Sequence, residues 1–138
     1  MIILDTNVLS ELLRPRPEPA VIAWLEAEAL DDAWICSMTV AEMLFGVLRL
    51  PDGRRKQALH EAVMAIFENE FHGRILAFDA RCAAHLAIIR LRRTLAGRPV
   101  STEDAIIAAT ARAHDAIVAT RNVKDFTGCG IETVNPWG

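Results

Sequence analysis

Four carboxylates stand where short apolar runs of the chain give way to helical ones. Asp5 follows Ile2-Ile3-Leu4, and Glu42 lies just beyond Ala33-Trp34-Ile35-Cys36. Asp104 opens the alanine-rich stretch Ala105-Ile106-Ile107-Ala108-Ala109, and Asp125 comes shortly after Ala116-Ile117-Val118-Ala119. Carboxylates are hard oxygen ligands and, suitably placed, proton acceptors, so a gathered set of four suits a divalent cation or acid–base chemistry. Each also has an ordinary local use. Asp is a good helix N-cap, which suits Asp5 before a helix over Thr6–Leu13. Glu42, Asp104 and Asp125 each lie three residues after a capping residue (Thr39, Ser101, Asn122), the spacing of a capping box worth about 0.5–2 kcal/mol. Asp79 ends another apolar run and opens a helix, and it is assigned to capping alone.

Two features favour the shared site over four separate caps. Glu42 and Asp104 sit in helices that are apolar nearly all round, which predicts burial, and a carboxylate against buried surface needs a counter-charge or donors. No Lys or Arg lies within a helical turn of Asp104. The second feature is the order of the elements. If the strands are parallel, their carboxyl ends and the amino ends of the following helices share one edge of the sheet, and the four acids converge there. Oxygen-only ligands select Mg²⁺ or Mn²⁺ over zinc.

The elements that must place these acids alternate along the chain. Short strands are predicted at Ile2–Leu4, 33–36, 75–78, 116–119 and 132–134, with helices near 6–13, 20–29, 40–50, 54–71, 79–95 and 101–113. Arg14-Pro15-Arg16-Pro17-Glu18-Pro19 must be a loop, because three alternating prolines forbid a helix. Pro51-Asp52-Gly53 is a turn, and Gly97 and Pro99 close the long helix before it. This order predicts an α/β fold, a three-layer α/β/α sandwich with a mostly parallel central sheet. At 138 residues the chain fits one domain over 1–138.

Composition excludes several classes. No apolar run approaches the ~20 residues of a membrane span, and the N-terminus lacks the basic and apolar regions of a signal peptide, so a cytoplasmic protein is expected. Cys36, Cys82 and Cys129 are odd in number and widely spaced, which predicts buried free thiols. His60, His72, His85 and His114 show no metal-ligand spacing, and neither a Ser-His-Asp set nor a glycine-rich phosphate loop occurs. The net charge of −3 argues weakly against nonspecific nucleic-acid binding, although acids gathered at one site would leave the remaining surface more basic than the total implies.

Leu4-Asp5-Thr6-Asn7, Thr39-Val40-Ala41-Glu42, Asp104 before Ala105-Ile106-Ile107-Ala108-Ala109-Thr110-Ala111, and Thr120-Arg121-Asn122-Val123-Lys124-Asp125-Phe126 occur in that order, with the ending Asn135-Pro136-Trp137. In these motifs the chain resembles the PIN-domain nucleases, and among them the toxin ribonucleases of the VapC kind. The resemblance covers the whole chain. It implies a metal-dependent endoribonuclease in which Asp5, Asp104 and Asp125 hold Mg²⁺ or Mn²⁺ and Glu42 completes the catalytic set. Thr6, Asn7, Thr120 and Asn122 would orient the carboxylates or the attacking water, and cleavage would leave a 5′-phosphate and a 3′-hydroxyl. It also implies RNA as substrate, a small antitoxin protein as partner and a homodimer.

Arg54-Arg55-Lys56 opens a helix, where the dipole disfavours cations; contact with RNA phosphates is one explanation and a solvated basic patch the other. Arg90, Arg92 and Arg93 sit near a helix C-terminus, where positive charge is favourable anyway. The helix over 40–50 and the first two helices carry more apolar surface than a thin sheet needs, which predicts an interface. Two rival readings are a noncatalytic interaction module of the same fold and a phosphohydrolase of the haloacid dehalogenase type. The latter wants a second Asp two residues after the first, where this chain has Asn7.

Overall fold

The computed structural model describes residues 1–29 and 31–138. Five strands, β1 (Ile2–Leu4), β2 (Ala33–Cys36), β3 (Ile75–Leu76), β4 (Ile117–Ala119) and β5 (Thr133–Val134), form one sheet in the order β3-β2-β1-β4-β5. All pairings are parallel, with Ile2 opposite both Ala33 and Ile117, and Val118 opposite Thr133. Six α-helices connect them: α1 (Thr6–Glu11), α2 (Pro19–Trp24), α3 (Ser37–Leu48), α4 (Arg54–Ala65), α5 (Ala80–Leu95) and α6 (Thr102–Ala113). Helix α2 runs on into a wider π turn at Leu25–Ala29, and α4 does the same at Ile66–Glu70.

Strands buried on both faces need apolar side chains at consecutive positions, and this is why they read as unbroken runs. Successive residues point to opposite faces. Leu4, Ala33, Ile35 and Ala119 pack under α1, α2, α3 and α4 with Val8, Leu9, Val21, Met43, Val47 and Val63. Ile3, Cys36 and Val118 face the other way, onto α5 and α6 with Ile89, Ile107 and Ala108. The result is the expected α/β/α sandwich, with a sheet that is wholly parallel. All three cysteines are free and buried. Among the described residues no helix is long and apolar enough to cross a membrane.

Three expectations need correction. Helix α3 starts at Ser37, with Cys36 as its N-cap residue and no side-chain cap, so Thr39 lies inside the helix and does not cap it. Nor is α3 buried all round: Phe45 is 66% and Leu48 58% exposed. The surplus apolar surface is therefore real on α3, but among the described residues α1 and α2 contribute none of the strongly exposed large side chains. The other contributor is α5, where Ile88, Leu91 and Leu95 form a stripe at helical spacing.

Leu9, fully buried beneath the sheet, should cost about 2–5 kcal/mol of stability when replaced by Ala, measured by urea denaturation. Gln57→Ala, on the exposed face of α4, should stay within about 0.5 kcal/mol of wild type.

Candidate active site

Asp5 leaves β1 with its N–H donating to the carbonyl of Ala119 (2.9 Å), which fixes its backbone to the neighbouring strand. Its carboxylate is the N-cap of α1, accepting the Thr6 N–H at 2.7 Å through Oδ1. Oδ2 accepts the hydroxyl of Thr120 (2.7 Å) and the side-chain amide of Asn7 (3.1 Å). The Thr120 hydroxyl accepts the N–H of Asn122 (3.0 Å), tying the end of β4 to the same carboxylate. Burial pushes the Asp5 carboxyl above its ordinary value; these donors oppose the shift and the charge of Asp125 adds to it. Asn7 occupies the place where a phosphotransferring site would require a second carboxylate, and it serves Asp5 as a donor instead.

Glu42 arrives from the first half of α3. The Thr6 hydroxyl donates to its Oε1 at 2.8 Å. Thr39, fully buried, places its own hydroxyl 3.4 Å from that of Thr6 and 3.8 Å from the Cys36 sulfur. Burial raises the Glu42 pKa, against the Thr6 hydrogen bond and with help from Asp5, Asp104 and Glu103. Asp104 stands in the first turn of α6, where the Ser101 hydroxyl accepts its N–H at 3.2 Å. This is the cap foreseen from the spacing. Its carboxyl is raised by burial and by the charges of Asp5, Asp125 and Glu103, against a hydrogen bond from Ser101.

One cleft is lined by Asp5, Thr6, Asn7, Glu42, Asp104 and Asn122, together with Ser10, Glu11, Arg14, Arg121 and Trp137. Asp125 does not line it. It stands exposed in the 3₁₀ turn Val123–Phe126, for which Asn122 supplies no side-chain cap, although its charge reaches Asp5 and Asp104. Asp79 is a cap and nothing more, accepting the Cys82 N–H at 3.0 Å.

Among the described residues none of the four acids has an ion pair; the pairs there are Met1 N-terminus–Asp32, Arg14–Glu11 and Lys56–Asp52. Nor are any three acids, histidines or cysteines among them grouped closely enough to hold an ion unaided. The donor set is oxygen only, and the charges of neighbouring acids add to the upward shifts at Asp5, Glu42 and Asp104. That chemistry would suit Mg²⁺ or Mn²⁺, hard cations that take oxygen ligands.

The basic run divides. Lys56 turns back to Asp52 at 3.1 Å, Arg54 is exposed, and Arg55 borders a groove between α1, α3 and α4 that ends at Thr6 and Glu42. The sequence did not single out Glu11, and it explained Arg93 only as a charge favourable at a helix C-terminus. Glu11 is a buried carboxylate that accepts the Glu18 N–H at 2.7 Å, which holds its pKa down. Arg93 is 7% exposed and donates to the carbonyls of Arg98 (2.7 Å), Lys124 (3.4 Å) and Thr127. Its signal was present: Cys82, Ile89 and Arg93 share the buried stripe of α5.

The chain belongs to the PIN-domain family, whose description, PIN domain, matches residues 2–127. It is similar to toxin FitB of Neisseria gonorrhoeae, 43% identical over 137 residues that span 99% of both proteins. The crystal structure of FitAcB from the same organism superposes with a TM-score of 0.92 at 43% identity, covering 99% of both chains. VapC ribonuclease Y4jK of Sinorhizobium fredii is 36% identical over 137 residues, 99% of this chain and 98% of its own. A toxin–antitoxin complex from Klebsiella pneumoniae shares the fold with a TM-score of 0.71 and 25% identity, covering 99% of this chain and 98% of that one.

An acid whose pKa is raised on folding contributes stability that is complete below its unfolded pKa, near ~4, and lost as pH rises through the folded value. In EDTA, Asp104→Asn should therefore melt higher than wild type at neutral pH, with the gap closing as pH falls towards about 4. Calorimetry across that range measures it, and a gap that stays constant with pH would contradict it.

Proposed function

We propose that this chain is a Mg²⁺- or Mn²⁺-dependent endoribonuclease and the toxin of a type II toxin–antitoxin pair. The observation that carries the reading is one cleft at the carboxyl edge of a parallel sheet into which Asp5, Glu42 and Asp104 open without an ion-paired cation. Membership of the PIN-domain family and similarity to a protein named a VapC ribonuclease support it.

Asp5 and Asp104 would hold the ion from the cleft, and Asp125 from its rim. When bound, the ion supplies Lewis acidity towards water and towards an oxygen of the scissile phosphate. Thr120, Asn7 and the Thr6 N–H favour the ionised form of Asp5 and fix its direction. Glu42, raised in pKa and aimed by the Thr6 hydroxyl, is suited to accept a proton from the attacking water. Asn122 stands at the rim, with its N–H committed to Thr120. Arg55 is the member of the basic run suited to RNA, since it borders the groove that leads to the acids.

The proposed partners follow from the apolar surface. The groove floored by Leu13, Met43, Val47 and Leu59 runs up to Thr6 and Glu42 and suits a segment of a small antitoxin protein that would block the acids. Exposed Phe45 and Leu48 of α3 and the α5 stripe suit a second copy of the chain.

Purified protein should cut mixed single-stranded and structured RNAs with Mg²⁺ or Mn²⁺ and not with EDTA. Asp5→Asn and Asp104→Asn should abolish cleavage, and Thr120→Val should slow it by roughly ten- to a hundredfold, the effect of removing a group that orients a ligand. Undiminished cleavage in EDTA, or full activity in both Asn variants, would remove the mechanism. For the antitoxin, co-expression with the product of an adjacent small reading frame should relieve growth arrest and yield a stable complex; failure of both would leave a free-standing nuclease.

A further inference from the structure

A cleft of carboxylates repels the polyanion it is proposed to cut, so a cation must stand beside it. Two arginines line the cleft, Arg14 and Arg121. They differ in commitment. Arg14 is paired at 3.3 Å with the buried Glu11. Arg121 has no ion pair among the described residues, and its guanidinium lies over the ring of Trp137, 5.2 Å from the centroid.

That stack is built from both sides. Trp137 is partly buried against the core beneath the sheet, and its backbone N–H donates to the Asn135 side chain at 3.0 Å. The backbone N–H of Arg121 donates at 3.3 Å to Oδ1 of Asn7, the residue whose amide group holds Asp5. A free arginine must surrender side-chain freedom when it binds, whereas a guanidinium resting on an indole has already lost part of it. Its plane and fork of N–H donors match a phosphodiester, which a lysine would meet only as a point charge.

Resting on the nuclease reading above, we infer that Arg121, seated on Trp137, is a phosphate subsite that grips the RNA backbone next to the phosphate being cleaved. The occupant is a phosphodiester of single-stranded RNA. The site confers no base preference, because it touches only the backbone. Arg121 is thus a positioning residue that aligns the strand along the acids.

Binding of a short, labelled, mixed-sequence single-stranded RNA to the full chain in EDTA, followed by anisotropy over a salt series, tests this, with a denaturing gel confirming that the RNA stays intact. Arg121→Ala should weaken binding about tenfold and reduce the slope of log K against log salt by about 0.7, the value for one lost phosphate contact on a single strand. Arg121→Lys should keep the slope while binding more weakly, and Trp137→Phe should bind nearly as wild type. Arg90→Ala, which removes an exposed charge from α5, should leave the slope unchanged. Equal slopes in wild type and Arg121→Ala would overturn the subsite while leaving the nuclease reading standing, whatever the variant does to antitoxin binding. A wild-type chain that binds no RNA at any salt would overturn both.

Discussion

The structure depends on keeping a buried negative charge at the end of β1. Asp5 is almost wholly enclosed, and an ionised carboxylate in such a place is tolerable only when donors surround it. The donors come from three directions: the backbone of α1, the side chain of Asn7 and the hydroxyl of Thr120 at the end of β4. To bring Thr120 there, β4 must lie directly beside β1 and parallel to it, in the register that pairs Leu4 with Ala119. The central pairing of the sheet and the geometry of the carboxylate are therefore one requirement.

The same economy extends outward through hydroxyls. Thr6 caps nothing with its side chain; it spends the hydroxyl on Glu42, and Thr39 sits behind it against Cys36. A row of small polar groups thus links β1, α1 and α3, and it leaves no buried side-chain nitrogen or oxygen without a partner among the described residues. Repulsion among the acids is left unbalanced by this row. Threonine and asparagine orient carboxylates without neutralising them, which preserves the negative potential that a hard cation would meet.

Much of this was legible beforehand. Strands buried on both faces must be continuous apolar runs, so Ile2–Leu4 and the segments near 33, 75, 117 and 133 announced themselves, and the parallel sheet then brought Asp5, Glu42 and Asp104 to one edge. What escaped were matters of a single turn or a single direction. Helix α3 begins three residues before its apolar stretch, with no side-chain cap to mark its start in the sequence, which moved Thr39 from the end of a helix to the inside of one. Spacing alone does not say which side of an all-apolar helix meets solvent, so the surplus apolar surface expected on this helix could not be assigned to Phe45 and Leu48. Charge at a helix C-terminus is so easily explained by the dipole that Arg93 was read as ordinary, although it lies on the buried stripe of α5.

Arg93 has a consequence for how the protein can fail. The turn carrying Asp125 is anchored by Phe126, sunk into the core on the α5–α6 side, and by a guanidinium that reaches the carbonyls on either side of the acid. The same guanidinium holds Arg98, in the connection that leads to the helix of Asp104. Asp125 thus depends on this side chain and on Phe126, whereas Asp104 is held as well by the buried face of α6, and Asp5 and Glu42 by the sheet and α1. Local opening at the end of α5 can release Asp125 from the acidic edge while every strand stays paired. A chain in that state would look folded by its secondary structure and its hydrodynamic size, yet one of its four acids would be out of place.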